Sequence, residues 1–535
     1  MIPIALSRIA QACNGRLQGE DVTVDAVATD SRTFVAHATS TLFVAIAGEN
    51  FDGHEHVAAI AAAGATAALV SRPLDVALPQ VVVGDTVEAL GSLAAALQAT
   101  RPAQAVVAIT GSNGKTSVKE LLLSILGRCG SVTASPGNRN NEIGLPLAII
   151  DADGDAAFAV YEMGAGKPGD IAYLAAIARP RVALVNNIAP AHLERMGSLQ
   201  GVADTKAAIY DALPTDGTAV INADDAFESF FAERAHGRRV LRFGFGARAD
   251  VHVRDVLLHE GGSDFVLVTP EGEAAVSLSL PGRHSVANAM AAASLALACG
   301  TPLPAIAEGL THAQPVAGRQ VRRQLPGGAW LVDDSYNANP GSLAAAIDTL
   351  AVASGGGWLV LGDMRELGVD AVALHEAAGR RAREAGVERV FALGELAATA
   401  AEAFGEGGEV FASHEALVAG LFAAIAAPTT ASTARHPVGA ATAATNAPDA
   451  PPAGAATPAT NAPNAPPAGA ATAATNAPDA PDVGAATAAT NAPDAAPVGA
   501  AMAAIAPTIL VKGSRGSAMD RVVRALLEGV DTDAA

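Results

Sequence analysis

Residues 105–120 read AVVAITGSNGKTSVKE: an apolar run, a turn containing Gly111 and Gly114, then Lys115 and Thr116 opening a helical pattern. A sequence of this kind captures anions. Glycines let the backbone bend closely around phosphate oxygens, and the N–H groups at the start of the following helix point at them. A lysine at this point neutralises β/γ-phosphate charge, and the hydroxyl after it can ligate Mg²⁺. Gly111, Ser112, Asn113, Gly114, Lys115, Thr116 and Ser117 are therefore expected to hold ATP. Ile109 stands where the general phosphate-loop pattern has its first glycine, which leaves the shorter form G-x-x-G-K-T.

Other groups suited to chemistry fall at the ends of apolar runs. Glu162 closes one and His192 follows another, which puts both near the carboxyl edge of a sheet, where open α/β folds bind ligands. Mg²⁺ prefers oxygen donors, so Glu162 and Thr116 are natural ligands and a histidine contact is less usual. Asp333 and Asp334 end a later strand, where a carboxylate can accept ribose hydroxyls or orient a nearby cation. Lys512, Ser514 and Arg515, in ILVKGSRGSAMD, offer cations and a hydroxyl suited to an incoming carboxylate.

These groups need elements to position them. The 535 residues exceed one hydrophobic core and suggest three domains with clefts between them. Residues 1–101 alternate short apolar strands (41–46) with Ala-rich helical stretches (56–63). From residue 105 apolar strands recur at 158–161, 182–185 and 219–221, separated by helical sequence. A third set covers 330–332, 358–361, 390–393 and 508–511. Strands alternating with helices predict mostly parallel sheets covered on both faces. The fold class is therefore α/β, in three domains: 1–101, a central phosphate-loop domain at 102–314, and a Rossmann-like domain at 315–535.

The third domain carries a low-complexity insertion, 428–506, with a 15-residue unit resembling GAATAATNAPDAPPA that restarts at Gly439, Gly454, Gly469 and Gly484. Its units lack the bulky apolar residues with which stacked repeats build a core, so a disordered loop is expected. Lengthening a connection of about 5 residues to about 80 costs only about 2–3 kcal/mol, so the host domain survives it.

Composition excludes several classes. The formal charge of −20 offers no basic footprint for a nucleic acid. No window holds an apolar run long enough to span a bilayer, and residues 1–15 lack the pattern of a secretion signal, so a cytoplasmic protein without membrane insertion is expected. Cys13, Cys129 and Cys299 are too few and too widely spaced for a disulfide framework or a cysteine zinc site.

The short phosphate loop followed by SPGNRNNEIGLPL (135–147), YEMGAGKPGDI (161–171) and NNIAPAHLERMGS (186–198) resembles the Mur ligase family, which includes the folylpolyglutamate synthetases. The resemblance implies that these segments carry substrate and metal ligands, among them Asn138, Asn141, Glu162 and His192. It aligns Lys206, in DTKAAIY, with a lysine that family members carbamylate. It gives Asn288, in LPGRHSVANAMAA, a contact to adenine, and it places Arg319, in AGRQ, by phosphate oxygens. DDSYNANPGS (333–342), with Asn337 and Asn339, resembles the members that add the terminal dipeptide. No DNPR string is present; in the diaminopimelate-adding sister that string reads the amino acid. TDSR (29–32) and LFVAIAGENFDGHEHV (42–57) resemble a UDP-binding first domain, implying Ser31, Arg32 and Asn50 as substrate contacts, although residues 34–40 depart from the family's Pro-Gly-Asp-type turn.

The implied activity is ATP-dependent ligation of D-alanyl-D-alanine to UDP-N-acetylmuramoyl-tripeptide through an acyl phosphate, by a monomer using Mg²⁺ and a carbamylated Lys206. Lys115, Lys206, His192 and Arg319 are the expected catalytic groups. His192 and Asp334 are both candidates for the base that serves the incoming amine. The alternatives are a sister ligase adding diaminopimelate or lysine, and a phosphate-loop ATPase that is not a ligase.

Overall fold

The central phosphate-loop strand, Ala105–Thr110, divides its side chains between two cores. Val106 and Ala108 point into one apolar cluster and Val107 and Ile109 into the other. Val182–Val185 does the same, with Ala183 and Val185 on the first face and Val182 and Leu184 on the second. A strand buried on both faces carries no polar alternation, which is why these segments read as unbroken apolar runs. The sheet they build is six-stranded and wholly parallel. Its order is Val132–Ala134, Phe158–Glu162, Ala105–Thr110, Val182–Val185, Thr218–Asn222, Arg239–Phe243.

This computed structural model describes residues 3–34, 40–48, 50–101, 105–326, 328–353, 355–427 and 506–529. Nearly all of the repeat-bearing insertion, and the departing turn at 35–39, lie outside the described residues.

One face of the central sheet is covered by helices Gly144–Asp151, Asp170–Ala178 and Leu199–Asp211. The same core runs on into the N-terminal sheet through helix Thr86–Ala99, whose start is capped by Asp85, accepting from the Val87 and Glu88 N–H groups at 2.7 and 2.9 Å. That sheet has the order Arg16–Gln18, Gln80–Val82, Ala67–Val70, Thr41–Val44, Ala26–Ala28. The other face of the central sheet is covered by helices Lys115–Leu126 and Arg283–Ala298. Beside them lies a three-stranded antiparallel sheet, His252–His259, Gly262–Thr269 and Gly272–Leu278. These last strands were not anticipated from sequence: outward positions such as Arg254, Asp255 and Glu273 mask their apolar positions.

The C-terminal sheet has the order Val321–Gln324, Trp330–Asp334, Thr508–Lys512, Gly357–Gly362, Arg389–Leu393, Gly408–Phe411, and only its first strand is antiparallel. Thr508–Lys512 follows the insertion in sequence yet sits inside the sheet, between Trp330–Asp334 and Gly357–Gly362. Its register sets Asp334 directly opposite Lys512. All four of these sheets belong to one compact unit.

Candidate active site

Gly111 and Gly114 are glycines for a geometric reason. Their φ angles are +145° and +79°, and a Cβ on Gly114 would lie 2.5 Å from both Asn186 Nδ2 and Asn288 Oδ1. The loop is pressed against the next strand: Ser112 N–H donates to the Asn187 carbonyl at 2.9 Å, and Asn113 N–H to Asn187 Oδ1 at 2.9 Å. Asn186 Nδ2 donates to the Asn113 carbonyl and to Asn288 Oδ1, both at 3.0 Å. Asn288, 8 % exposed on helix Arg283–Ala298, thus supports the loop from behind.

A cleft of about 670 Å³ opens over this loop and reaches from the central sheet to the C-terminal sheet. Among the residues expected from sequence, it is lined by Gly111 to Lys115, Ser117, Asn138 and Asn141, and by Glu162, His192, Lys206 and Asn288. Arg319, Asp334, Asn337, Asn339 and Lys512 line its far side. Thr116 joins through Glu162, donating to its Oε2 at 2.8 Å, while Asn140 Nδ2 donates to Oε1 at 2.8 Å. Arg319 Nη2 donates to the Thr116 hydroxyl at 3.1 Å, and its guanidinium lies 4.3 Å from the centre of the Tyr336 ring.

Glu162 is 3 % exposed and its charge acts on Lys115. It favours the charged form of Lys115, while loss of hydration, the larger effect, and Arg319 hold that amine below its ordinary value. Lys206, 2 % exposed on helix Leu199–Asp211, is pushed down to about 7 by burial and by the Lys115 charge. Burial also lowers His192, against the opposing pull of Glu366, and the Lys206 and Lys115 charges add to that lowering. Among the described residues no group of three His, Cys, Asp or Glu side chains is gathered for a metal. The donors present, one buried carboxylate beside a threonine hydroxyl, fit Mg²⁺ bound partly by phosphate oxygens, the usual arrangement where nucleotide and metal bind together.

On the far side, Lys512 (2 % exposed) pairs with Asp334 and donates to the Asn337 carbonyl at 3.1 Å. Asn339 caps helix Pro340–Ala351 by accepting from Ser342 N–H at 2.9 Å and reaches across to Asn113 Oδ1 at 2.6 Å. Gly341 continues this contact, since a Cβ there would stand 3.0 Å from Ala189 Cβ.

Five expected residues lie elsewhere. Ser31, Arg32 and Asn50 are in the N-terminal domain away from the cleft, where Arg32 pairs with Asp30 at 2.8 Å. The neighbouring His54 is buried, with Asp52 at 2.6 Å from Nδ1 and the Ser71 N–H donating to Nε2 at 2.9 Å, so it braces the domain. Ser514 is buried and accepts from Arg365 N–H at 2.9 Å, while Arg515 opens a short helical turn outside the cleft. Conversely, Asn140, Asn186, Asn187, Tyr336 and Glu366 were not singled out. The first four lie inside motifs quoted above and Glu366 lies in LGDMRELG (361–368), but only the fold shows which polar side chains converge.

Residues 109–296 match the Mur ligase middle domain, and residues 318–431 match the Mur ligase glutamate ligase domain. The chain is 44 % identical over 419 residues to the UDP-N-acetylmuramoyl-tripeptide--D-alanyl-D-alanine ligase of Escherichia coli (strain K12), covering 78 % of this chain and 92 % of that protein. It is 36 % identical over 430 residues to the enzyme of the same name from Mycobacterium tuberculosis (strain H37Rv), covering 74 % and 84 %. The crystal structure of MurF from Acinetobacter baumannii superposes with a TM-score of 0.80 at 29 % identity, over 98 % of this chain and 99 % of that one. The loop, the cleft and these similarities agree: the chain belongs to the Mur ligase family.

Proposed function

We propose that this enzyme uses ATP to join D-alanyl-D-alanine to UDP-N-acetylmuramoyl-tripeptide, giving the UDP-linked pentapeptide, ADP and phosphate. The observation that carries the reading is the cleft itself, in which the phosphate loop faces the DSYNANP segment across a single cavity. The similarity to relatives bearing this enzyme's name supports the choice of substrates.

A carboxylate resists amide formation because attack by an amine would have to expel oxide. Transfer of the γ-phosphoryl to one carboxylate oxygen of the tripeptide converts that oxygen into a leaving group. The amine of the dipeptide then attacks the carbonyl carbon, and phosphate departs with the carbon–oxygen electron pair. The protein's part is positioning and charge stabilisation. The loop N–H groups and Lys115 hold the phosphates, and Arg319, propped on Tyr336 and aimed at Thr116, adds positive charge where the transferring group becomes more negative. Thr116, Glu162 and His192 would hold Mg²⁺, which when bound screens phosphate charge. The low value of Lys206 leaves much of its amine neutral near pH 7, the form that reacts with CO₂, and a carbamate there would return an anion to a crowded cationic site.

Asp334 and Lys512 occupy facing strand ends, and together with Asn337 and Asn339 they form the cleft wall against which substrate is held. Ser31, Arg32 and Asn50 serve the UDP end, remote from the bond that forms. The division at 101/102 and 314/315 gives each sheet one ligand to hold, which is UDP for the first, ATP for the second and the incoming dipeptide for the third. The enzyme acts as a monomer, since one chain supplies every wall of the cleft, and in the cytoplasm, where ATP and UDP-linked precursors are available. No described helix is long and apolar enough to cross a membrane.

The test is phosphate release by the purified chain with ATP, Mg²⁺, UDP-muramoyl tripeptide and one amine at a time. Release that requires D-alanyl-D-alanine is expected. Release with diaminopimelate alone, or with no amine, would refute the assignment.

A further inference from the structure

Two of the seven non-glycine residues with positive φ among those described touch each other. They are His192, at +55°, on the central side of the cleft, and Glu366, at +62°, on the C-terminal side. The Glu366 carboxylate accepts from His192 Nδ1. A left-handed backbone is uncommon outside glycine and asparagine, and where it persists the surroundings must enforce it. Here they do. Glu366 lies between Met364 and Leu367, which are 0 % and 2 % exposed. Met364 N–H donates to His375 Nε2 at 2.9 Å, and His375 Nδ1 is 2.7 Å from the Ala371 carbonyl, so His375 is a fixed neutral clamp. Arg365 N–H donates to Ser514 Oγ, and the Asp363 carbonyl accepts from Ser514 N–H at 3.0 Å and from Ser517 Oγ at 2.9 Å.

As an ion pair this contact contributes little stability. Both side chains are partly exposed, 39 % for His192 and 57 % for Glu366, and such pairs are typically worth about 0–1 kcal/mol. Its consequence is orientational. With the Nδ1 proton given to a carboxylate, the imidazole lone pair is fixed on Nε2, and histidines that bind metals are commonly set by this kind of partner.

We infer that Glu366 is a positioning residue: held on a clamped loop of the C-terminal sheet, it fixes the ring of His192 in the cleft only when the C-terminal domain is docked on the central one. The site on the central domain is thereby completed from across the cleft, and the Ser514 and His375 contacts serve to hold Glu366. The inference rests on the reading of His192 as a metal-side residue.

The experiment measures Mn²⁺ binding, with Mn²⁺ standing in for Mg²⁺, by electron paramagnetic resonance on the full chain with ADP. The proteins are wild type, Glu366→Ala, Glu366→Gln, His192→Ala and the double variant Glu366→Ala/His192→Ala. His192→Ala and Glu366→Ala are each expected to weaken Mn²⁺ binding by about 10- to 100-fold, the usual effect of losing such a partner. Glu366→Gln keeps an acceptor for Nδ1–H and should retain most of the affinity, and the double variant should bind no more weakly than His192→Ala. If His192→Ala weakens binding while Glu366→Ala stays within about twofold of wild type, the positioning role is overturned. If His192→Ala itself has no effect, the metal-side reading fails and takes this inference with it. The ligase reading stands or falls separately, on whether wild-type phosphate release depends on D-alanyl-D-alanine.

Discussion

Replacing Lys206 by methionine should abolish ligation and make the protein more stable. The amine is 2 % exposed and titrates near 7, against an ordinary value of 10.5. The native fold therefore disfavours the charged form that dominates the unfolded chain at neutral pH. The unfolded state binds more protons than the native state from about pH 7 to about pH 10.5, so native stability rises with pH across that window. At about 1.36 kcal/mol per pKa unit, the native state is disfavoured by at most about 4 kcal/mol at pH 7, falling to about 1–2 kcal/mol by about pH 9.5. Methionine keeps the length and apolar stem without the charge, so it should recover much of that difference. The measurement is chemical denaturation of wild type and Lys206→Met in CO₂-free buffer at those two pH values. The variant should be more stable at pH 7 by a few kcal/mol, and its advantage should shrink toward pH 9.5. Equal stability at pH 7, or an advantage independent of pH, would show that the native fold does not hold a neutral lysine. The proposed carbamate would then lose its chemical basis.

Two further substitutions probe the loop and the far wall of the cleft. Gly114→Ala forces a Cβ onto a left-handed backbone, costing about 1–2 kcal/mol, and drives it to 2.5 Å from the Asn186 and Asn288 amides. ATP affinity by calorimetry should fall by more than about tenfold while the far-ultraviolet spectrum stays native. Lys512→Met strands Asp334 in a buried position and should destabilise the C-terminal domain by about 3–5 kcal/mol, whereas the double variant Lys512→Met/Asp334→Leu should recover most of that loss. Urea unfolding followed by Trp330 and Trp358 fluorescence reads this directly, and a double variant as unstable as the single one would contradict it.

What could be read in the sequence follows from how locally each feature is encoded. The phosphate loop is contiguous and its geometry is set by glycines, so Gly111 to Thr116 could be assigned residue by residue. The parallel strands were visible because burial on both faces leaves unbroken apolar runs. The antiparallel sheet of residues 252–278 was not, because charged and polar residues such as Arg254, Asp255, Asp264 and Ser277 interrupt its short apolar stretches. Glu162 and Lys206 could be named from their motifs, yet the burial that lowers Lys206 arises from helix Leu199–Asp211 packing against strand Val182–Val185 and helix Asp170–Ala178, an arrangement that no linear pattern reveals. Ser514 marks the boundary most clearly. A hydroxyl between Lys512 and Arg515 suggested a ligand for an incoming carboxylate, but in the fold its oxygen is engaged by Arg365 N–H, in the loop that carries Glu366. Which polar side chains meet across the cleft depends on segments as far apart as Glu366 and His192, and the sequence carries no mark of that pairing.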